Sequence, residues 1–193
     1  MCIRDSSWGS RGVVGRSGSC RTYYPYSAVV HNGIMYVPDY YRGIKKIRLS
    51  DGACLGTLAN LRYVRSLAVY ENSLIASSTL GTYSYNLSTG ASRRCSNQRS
   101  EFRYTFATTA SNNTLYSFYN RRFYSATLSD ESGTLCPRSN FRNFVDYNTY
   151  QAYGIAADPN QNDVIYVMDR SYNRMSKITT VSYTHLRAHE TLR

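Results

Sequence analysis

The sequence predicts an all-β chain, a β-propeller fragment of about four blades with four antiparallel strands each. Three observations lead there. A strand-like apolar tetrad recurs as Ile34-Met35-Tyr36-Val37, Leu74-Ile75-Ala76-Ser77, Leu115-Tyr116-Ser117-Phe118 and Val164-Ile165-Tyr166-Val167. The equivalent residues Tyr36, Ile75, Tyr116 and Tyr166 are separated by 39, 41 and 50 positions. A second motif follows each tetrad: Leu49-Ser50-Asp51-Gly52, Leu87-Ser88-Thr89-Gly90 and Leu128-Ser129-Asp130, with Met175-Ser176-Lys177-Ile178 in the last copy. Short strands repeating about every 40 residues between Gly, Asn and Asp turns are the signature of propeller blades.

In blade one (25–58) the pattern places strand a at Ser27–Val30, b at Ile34–Asp39, c at Gly43–Leu49 and d at Cys54–Leu58. Asn32-Gly33 joins a to b, since both positions of a two-residue hairpin turn need positive φ, and Asp51-Gly52 is expected to do the same between c and d. Blade two covers 66–95, blade three 105–136 and blade four 153–180, ending in or just after strand c. Taking Tyr36, Ile75, Tyr116 and Tyr166 as one set, the distances to Leu49, Leu87, Leu128 and Ile178 are 13, 12, 12 and 12.

The ends follow other rules. Met1–Ser6 and Val181–Arg193 back-translate to opposite strands of a common transposase-based sequencing adaptor, so both are expected to be adaptor-derived and the natural segment to run over 7–180. That segment leaves His31 as the only histidine and keeps the net charge close to the +11 of the whole chain. Its lysines are Lys45, Lys46 and Lys177, so arginine carries most of the charge. No apolar run reaches the ~20 residues that a helix needs to cross a bilayer.

The motif Gly154-Ile155-Ala156-Ala157-Asp158-Pro159, with Val164-Ile165-Tyr166-Val167-Met168-Asp169 and Asn173-Arg174-Met175-Ser176-Lys177-Ile178, resembles an NHL-type repeat. Blade one matches it in part through Tyr36-Val37-Pro38-Asp39 and Ile44-Lys45-Lys46-Ile47, while blades two and three lack the Asp and the Asn-x-Arg. The resemblance implies a six-bladed ring, completed by further blades of a parent chain. Quinoprotein-like rings of seven or eight blades share the Leu-x-x-x-Gly turn.

In an up-and-down sheet the b–c turns and d–a linkers lie at one end, and the a–b and c–d turns at the other. The first end collects Arg42, Arg62, Arg65, Arg121, Arg122, Arg170 and Arg174, together with Arg99, Arg103, Arg138 and Arg142. Tyr40, Tyr41 and Tyr172 sit among them, with Tyr63, Tyr104, Tyr147 and Tyr150. The opposite turns carry Asp51, Glu71, Asp130, Glu131, Asp158 and Asp163 and no Arg or Lys. Guanidinium groups interleaved with phenol rings hold anions by paired hydrogen bonds and stack on flat rings. This end is therefore the candidate ligand-binding face of a binding module, with an acidic glycan, RNA or an acidic protein as partner. The same arginines would equally serve as ordinary solvated loop residues.

Catalytic readings find less support. His31 lies beside an a–b turn with no partner set for a Ser-His-Asp arrangement. No His/Cys spacing suits a metal, and Gly12–Gly18 lacks the Lys of a phosphate loop. No cofactor is implied. Asp39 and Asp169 close strand b either as turn-stabilising acceptors or as part of a carboxylate metal site. The latter belongs to the alternative function, a lyase- or lactonase-type propeller enzyme.

Cys54, Cys95 and Cys136 recur every 41 residues, with Cys20 as a preceding equivalent. Equivalent points on neighbouring outer strands are expected to lie beyond the ~7 Å Cα limit of a disulfide, so the three are expected to be unbonded, small buried hydrophobes. The sequons at Asn86 and Asn112, the low Lys content and the high Tyr content lean toward an extracellular setting.

Overall fold

A computed structural model describes residues 20, 22–95, 107–119, 122–131, 133–138, 142–146, 152–158, 160–161, 164–169 and 174–179. Both termini expected to be adaptor-derived lie outside the described residues.

Four antiparallel sheets follow one another along the chain. Blade one contains β1 (Val29–His31), β2 (Ile34–Asp39), β3 (Gly43–Arg48) and β4 (Cys54–Ala59). Blade two contains β5 (Val64–Tyr70), β6 (Ser73–Ser78), β7 (Gly81–Asn86) and β8 (Ser92–Arg94). Blade three is built from β9 (Ala107–Ser111), β10 (Thr114–Tyr119), β11 (Arg122–Glu131) and β12 (Thr134–Pro137), and β13 (Arg142–Asp146) also pairs with β11. Blade four contains β14 (Ala152–Ala157), β15 (Val164–Asp169) and β16 (Arg174–Thr179). The described residues include no α-helix. This is the propeller architecture that the repeat predicts.

The repeat is visible at the level of single hydrogen bonds. The N–H groups of Leu49, Leu87 and Leu128 donate to the carbonyls of Gly33, Asn72 and Asn113, at 2.9, 2.7 and 2.7 Å. Each leucine thus ties the end of its third strand to the preceding a–b hairpin, which explains why the motif recurs. Asn32 and Gly33 both take positive φ, 47° and 71°, as the hairpin signal requires. Between β3 and β4 only Gly52 does so, at 69°. The loop there is a longer one, closed by the Gly52 N–H on the Arg48 carbonyl at 2.9 Å, rather than a second Asn32-Gly33-like turn.

Two details depart from the sequence reading. In blade four Tyr166 pairs with Lys177, as Tyr36 pairs with Lys46, so Ile178 is the counterpart of Ile47 and not of Leu49. The turn between β15 and β16 is longer than that between β2 and β3, and the extra residue shifts the count. In blade three the long β11 pairs with β12 through Leu128–Glu131 and with β13 through Arg122–Ser125. The expected linker after residue 136 therefore contains a strand.

Alternation along each strand feeds successive inter-blade cores. Tyr36 and Ile44 of blade one pack with Leu67, Leu74, Ala76 and Tyr85 of blade two. Ala68 and Ile75 of blade two meet Leu115, Ala126 and Leu128 of blade three. Tyr116, Phe118 and Phe123 of blade three meet Ile165, Val167 and Ile178 of blade four. The strands β1, β5, β9 and β14 are the innermost of their sheets and border a common cavity.

The cysteines overturn the expectation that they stay unbonded. Cys20 is bonded to Cys54, and Cys95 to Cys136, each with a Cα–Cα distance of 5.5 Å. The reason is that β12 leans against β6 and β7 of blade two, while the Cys95 N–H bonds to the Thr82 carbonyl at 2.9 Å on the edge of β7. Cys136 lies opposite Ser129 near the far end of β11, whereas Cys95 lies beside the start of β7, so the bond joins different levels of the two blades, brought within disulfide reach by the packing of β12 on blade two.

Candidate tyrosine and arginine face

The site begins with Asp39 at the end of β2. Its side chain is fully buried and accepts three backbone N–H groups. Tyr41 and Arg42 donate to one oxygen at 2.8 and 2.9 Å, and Tyr23 donates to the other at 2.9 Å. The first two bonds are an Asx-type turn and the third anchors the segment that enters blade one, so Asp39 is a turn-stabilising acceptor. The turn is sharpened at Gly43, where φ is +86° and any Cβ would collide with the Ala59 carbonyl. A run of backbone bonds then ties the loops together: Tyr40 N–H to Tyr23 O at 3.2 Å, Tyr63 N–H to Tyr40 O at 2.7 Å, and Thr79 N–H to Tyr63 O at 3.3 Å.

On this frame stand aromatic rings. Tyr40 is the hub, edge-on to Tyr26 at 5.8 Å, to Tyr41 at 5.0 Å and to Tyr63 at 5.2 Å between centroids. Tyr41 and Tyr63 also meet, at 6.4 Å. The Arg42 guanidinium lies 4.6 Å above the Tyr23 ring, within cation–π range. Tyr63 takes φ +59° and Tyr24 +55°, a conformation that costs a bulky residue about 1–3 kcal/mol. Tyr23, Tyr26 and Tyr41 remain 47%, 46% and 52% exposed, so a platform is held rigidly and left open to solvent.

Of the residues singled out in the sequence, the structure brings together Tyr40, Tyr41, Arg42 and Tyr63. Arg62 is exposed on the same β4–β5 linker, and its carbonyl accepts the Ser78 hydroxyl at 2.7 Å. Arg65 sits half-buried in β5, and Arg122 is exposed at the start of β11 in blade three, away from the tyrosine cluster along the ring. Arg121, Arg170 and Tyr172 lie outside the described residues, as do Arg99, Arg103, Tyr104, Tyr147 and Tyr150; Arg174 opens β16, and its side chain is not described. Sequence reasoning missed Tyr23, which lies before blade one as the sequence bounds it, and Tyr26, which precedes strand a. The dense Tyr-Tyr-Pro-Tyr run at 23–26 was the available signal. It also missed Arg94, whose guanidinium donates to the Leu80 carbonyl at 2.9 Å at the same end of blade two.

The opposite end is built differently. Asp51 pairs with Arg48 at 3.1 Å; the Ala53 N–H first, then Arg48, hold its carboxyl below the usual range. Arg48 ends β3 and so brings a cation to the border of these acidic turns. Asp158 accepts the Asn160 N–H at 2.8 Å and the Tyr166 hydroxyl at 2.9 Å, bonds that lower its pKa and raise that of Tyr166. His31 is the last residue of β1, paired with Ile34 rather than in the turn itself, and lies within hydrogen-bond distance of Asn72 and Asn32. Among the described residues no three His, Cys, Asp or Glu side chains gather as a metal site.

No family model matches the chain, and no curated protein matches it in sequence. Solved structures do resemble its fold. An auxiliary nutrient binding protein from Bacteroides ovatus superposes with a TM-score of 0.63 at 16% identity, over 86% of this chain and 46% of the other. A chain of the nidogen/laminin complex gives 0.61 at 13% identity, over 80% and 59%. The WD40 β-propeller domain of Doa1 gives 0.55 at 17% identity, over 81% and 51%. The chain thus spans about half the length of these three proteins. At such identities the likeness is one of fold.

Proposed function

We propose that this chain is a propeller binding module that engages an anionic partner through its Tyr/Arg loop end. The observation that carries the reading is the exposed tyrosine cluster around Tyr40, with Arg42 beside it, held in place by the buried Asp39. A fixed aromatic surface loses little side-chain entropy when a flat ligand settles on it. A guanidinium alongside supplies directed donors for carboxylate or sulfate oxygens.

Among acidic partners an acidic glycan is favoured over RNA. Two disulfides suit an oxidising compartment, where glycans abound, and tyrosine faces stack on sugar rings as readily as on bases. An extracellular setting belongs to the same proposal. The resemblance of blade four to an NHL-type repeat, and a six-bladed ring with it, likewise stand as proposals.

The test measures binding of the full chain to a heparin-like sulfated glycan across a salt series. Affinity is expected to fall steeply with salt, as release of condensed counterions requires. Tyr41→Ala and Arg42→Ala are each expected to weaken binding roughly fivefold to tenfold without changing the unfolding temperature. Binding insensitive to salt or to both substitutions defeats the proposal. Tighter binding of single-stranded RNA than of the glycan replaces the partner class.

A further inference from the structure

A cavity of about 460 Å³ lies between the innermost strands of the four blades, within the roughly 300–1,000 Å³ range of small-molecule sites. Its chemistry differs from that of the tyrosine face. Among the described residues the lining contains no charged side chain, and its polar residues are Ser27, Ser66, Thr108, Thr109 and Tyr26.

The hydroxyls have defined roles. Ser27 Oγ, two residues before β1, accepts the Leu67 N–H of β5 at 3.3 Å. Ser66 and Thr108 share a hydrogen bond of 2.6 Å that links β5 to β9. Thr109 Oγ1 accepts the Ala157 N–H at 3.2 Å, linking β9 to β14. Each of the three steps from the start of blade one round to β14 is therefore bridged by a side-chain hydroxyl. Because the Ser27 and Thr109 oxygens accept from the backbone, their own O–H protons are left to donate elsewhere. The inner strands also turn alternate backbone N–H and C=O groups toward the cavity, since only one edge of each is paired within its blade.

These features select a ligand class. A charged ligand would be desolvated without a counter-charge, at large cost. An apolar one would cover hydroxyl and backbone groups without satisfying them. A neutral molecule that both donates and accepts hydrogen bonds fits both requirements. Tyr26 lines the cavity and also touches Tyr40, so it places a half-exposed ring where the cavity meets the tyrosine face. A flat phenol beside polar groups suits the C–H face of a pyranose.

We infer that the central cavity is a second binding site, for a neutral polyhydroxylated small molecule of the saccharide class. It shares Tyr26 with the tyrosine face but does not use Arg42, and it does not rest on the anion-binding reading.

Calorimetric titration of the full chain with glucose, galactose, maltose and lactose tests it. Saturable binding of at least one is expected, with glucuronate binding more weakly than glucose. Thr109→Val and Ser27→Ala are each expected to lower the affinity about fivefold, the worth of one hydrogen bond. Thr109→Ser restores the hydroxyl and is expected to bind like the parent, which keeps the test decisive if Thr109→Val fails to fold. Arg42→Ala is expected to leave sugar binding unchanged, so this site and the anionic face succeed or fail separately. No saturable binding of any of the four sugars, unchanged affinity in the Ser27→Ala and Thr109→Val proteins, or glucuronate binding at least as tight as glucose overturns the inference.

Discussion

The face that blade two turns toward blade one carries Leu67, Leu74, Ala76, Tyr83 and Tyr85, packed against Tyr36 and Ile44. The face it turns toward blade three carries Ala68 and Ile75 and, by strand alternation, Ser66, Ser77, Thr82 and Ser84. One sheet thus has an apolar side and a hydroxyl-rich side. Among the described residues the buried hydroxyls of Ser77, Thr82 and Ser84 have no partner, and buried polar groups without partners reduce stability. It is the hydroxyl-rich interface that Cys95–Cys136 crosses. A covalent link compensates where burial of apolar surface is thinner, the same logic by which small secreted domains rely on disulfides.

Removing that link is expected to have the largest effect. Cys95→Ser with Cys136→Ser is expected to cost about 4 kcal/mol, the loop-entropy value for a closure of this length, read from denaturant unfolding. A loss near zero would mean that blades two and three hold together by packing alone. Next in size, Leu74→Ala on the apolar side is expected to cost about 3 kcal/mol through lost burial and a residual cavity.

A pH effect comes third. Burial first, and the neighbouring Tyr83 second, push the Tyr85 phenol up to about 12, against about 10 in an unfolded chain. A raised folded pKa favours the protonated phenol in the native state. The stabilisation is full below pH of about 10 and is lost as pH rises through about 12. Tyr85→Phe is expected to flatten this alkaline loss in a thermal-melt series; an unchanged slope would assign the loss to other groups. Smallest is Ser84→Ala, expected to leave stability within about 1 kcal/mol of the parent or to raise it, because it removes an unpartnered buried hydroxyl. A loss beyond about 2 kcal/mol would show that Ser84 is bonded after all and that the two faces are less unlike than they look.

Much of the fold could be read before the structure, because blades are local. Strand b of blade one runs over Ile34–Asp39 in both readings, and Asn32-Gly33 forms the hairpin turn its residues demand. The site was only half legible. Tyr40, Tyr41 and Arg42 follow from their place in a b–c turn, whereas Tyr23 and Tyr26 reach the cluster by a fold-back that Asp39 creates by accepting the Tyr23 N–H. That bond spans 16 residues, and no local pattern announces it.

What the sequence determined alone is whatever depends on neighbours along the chain: the period near 40 residues, the alternation that separates the two sides of each strand, and the turn residues with left-handed backbone. What only the tertiary structure decided depends on the distance between blades. Cys95 meets Cys136 because β12 packs against blade two. Ile178 aligns with Ile47 because one turn is longer. The hydroxyls of Ser27, Ser66, Thr108 and Thr109 bridge strand to strand because the inner edges stand side by side. The periodic code specifies each sheet, and the packing angle between sheets sets which of its side chains touch.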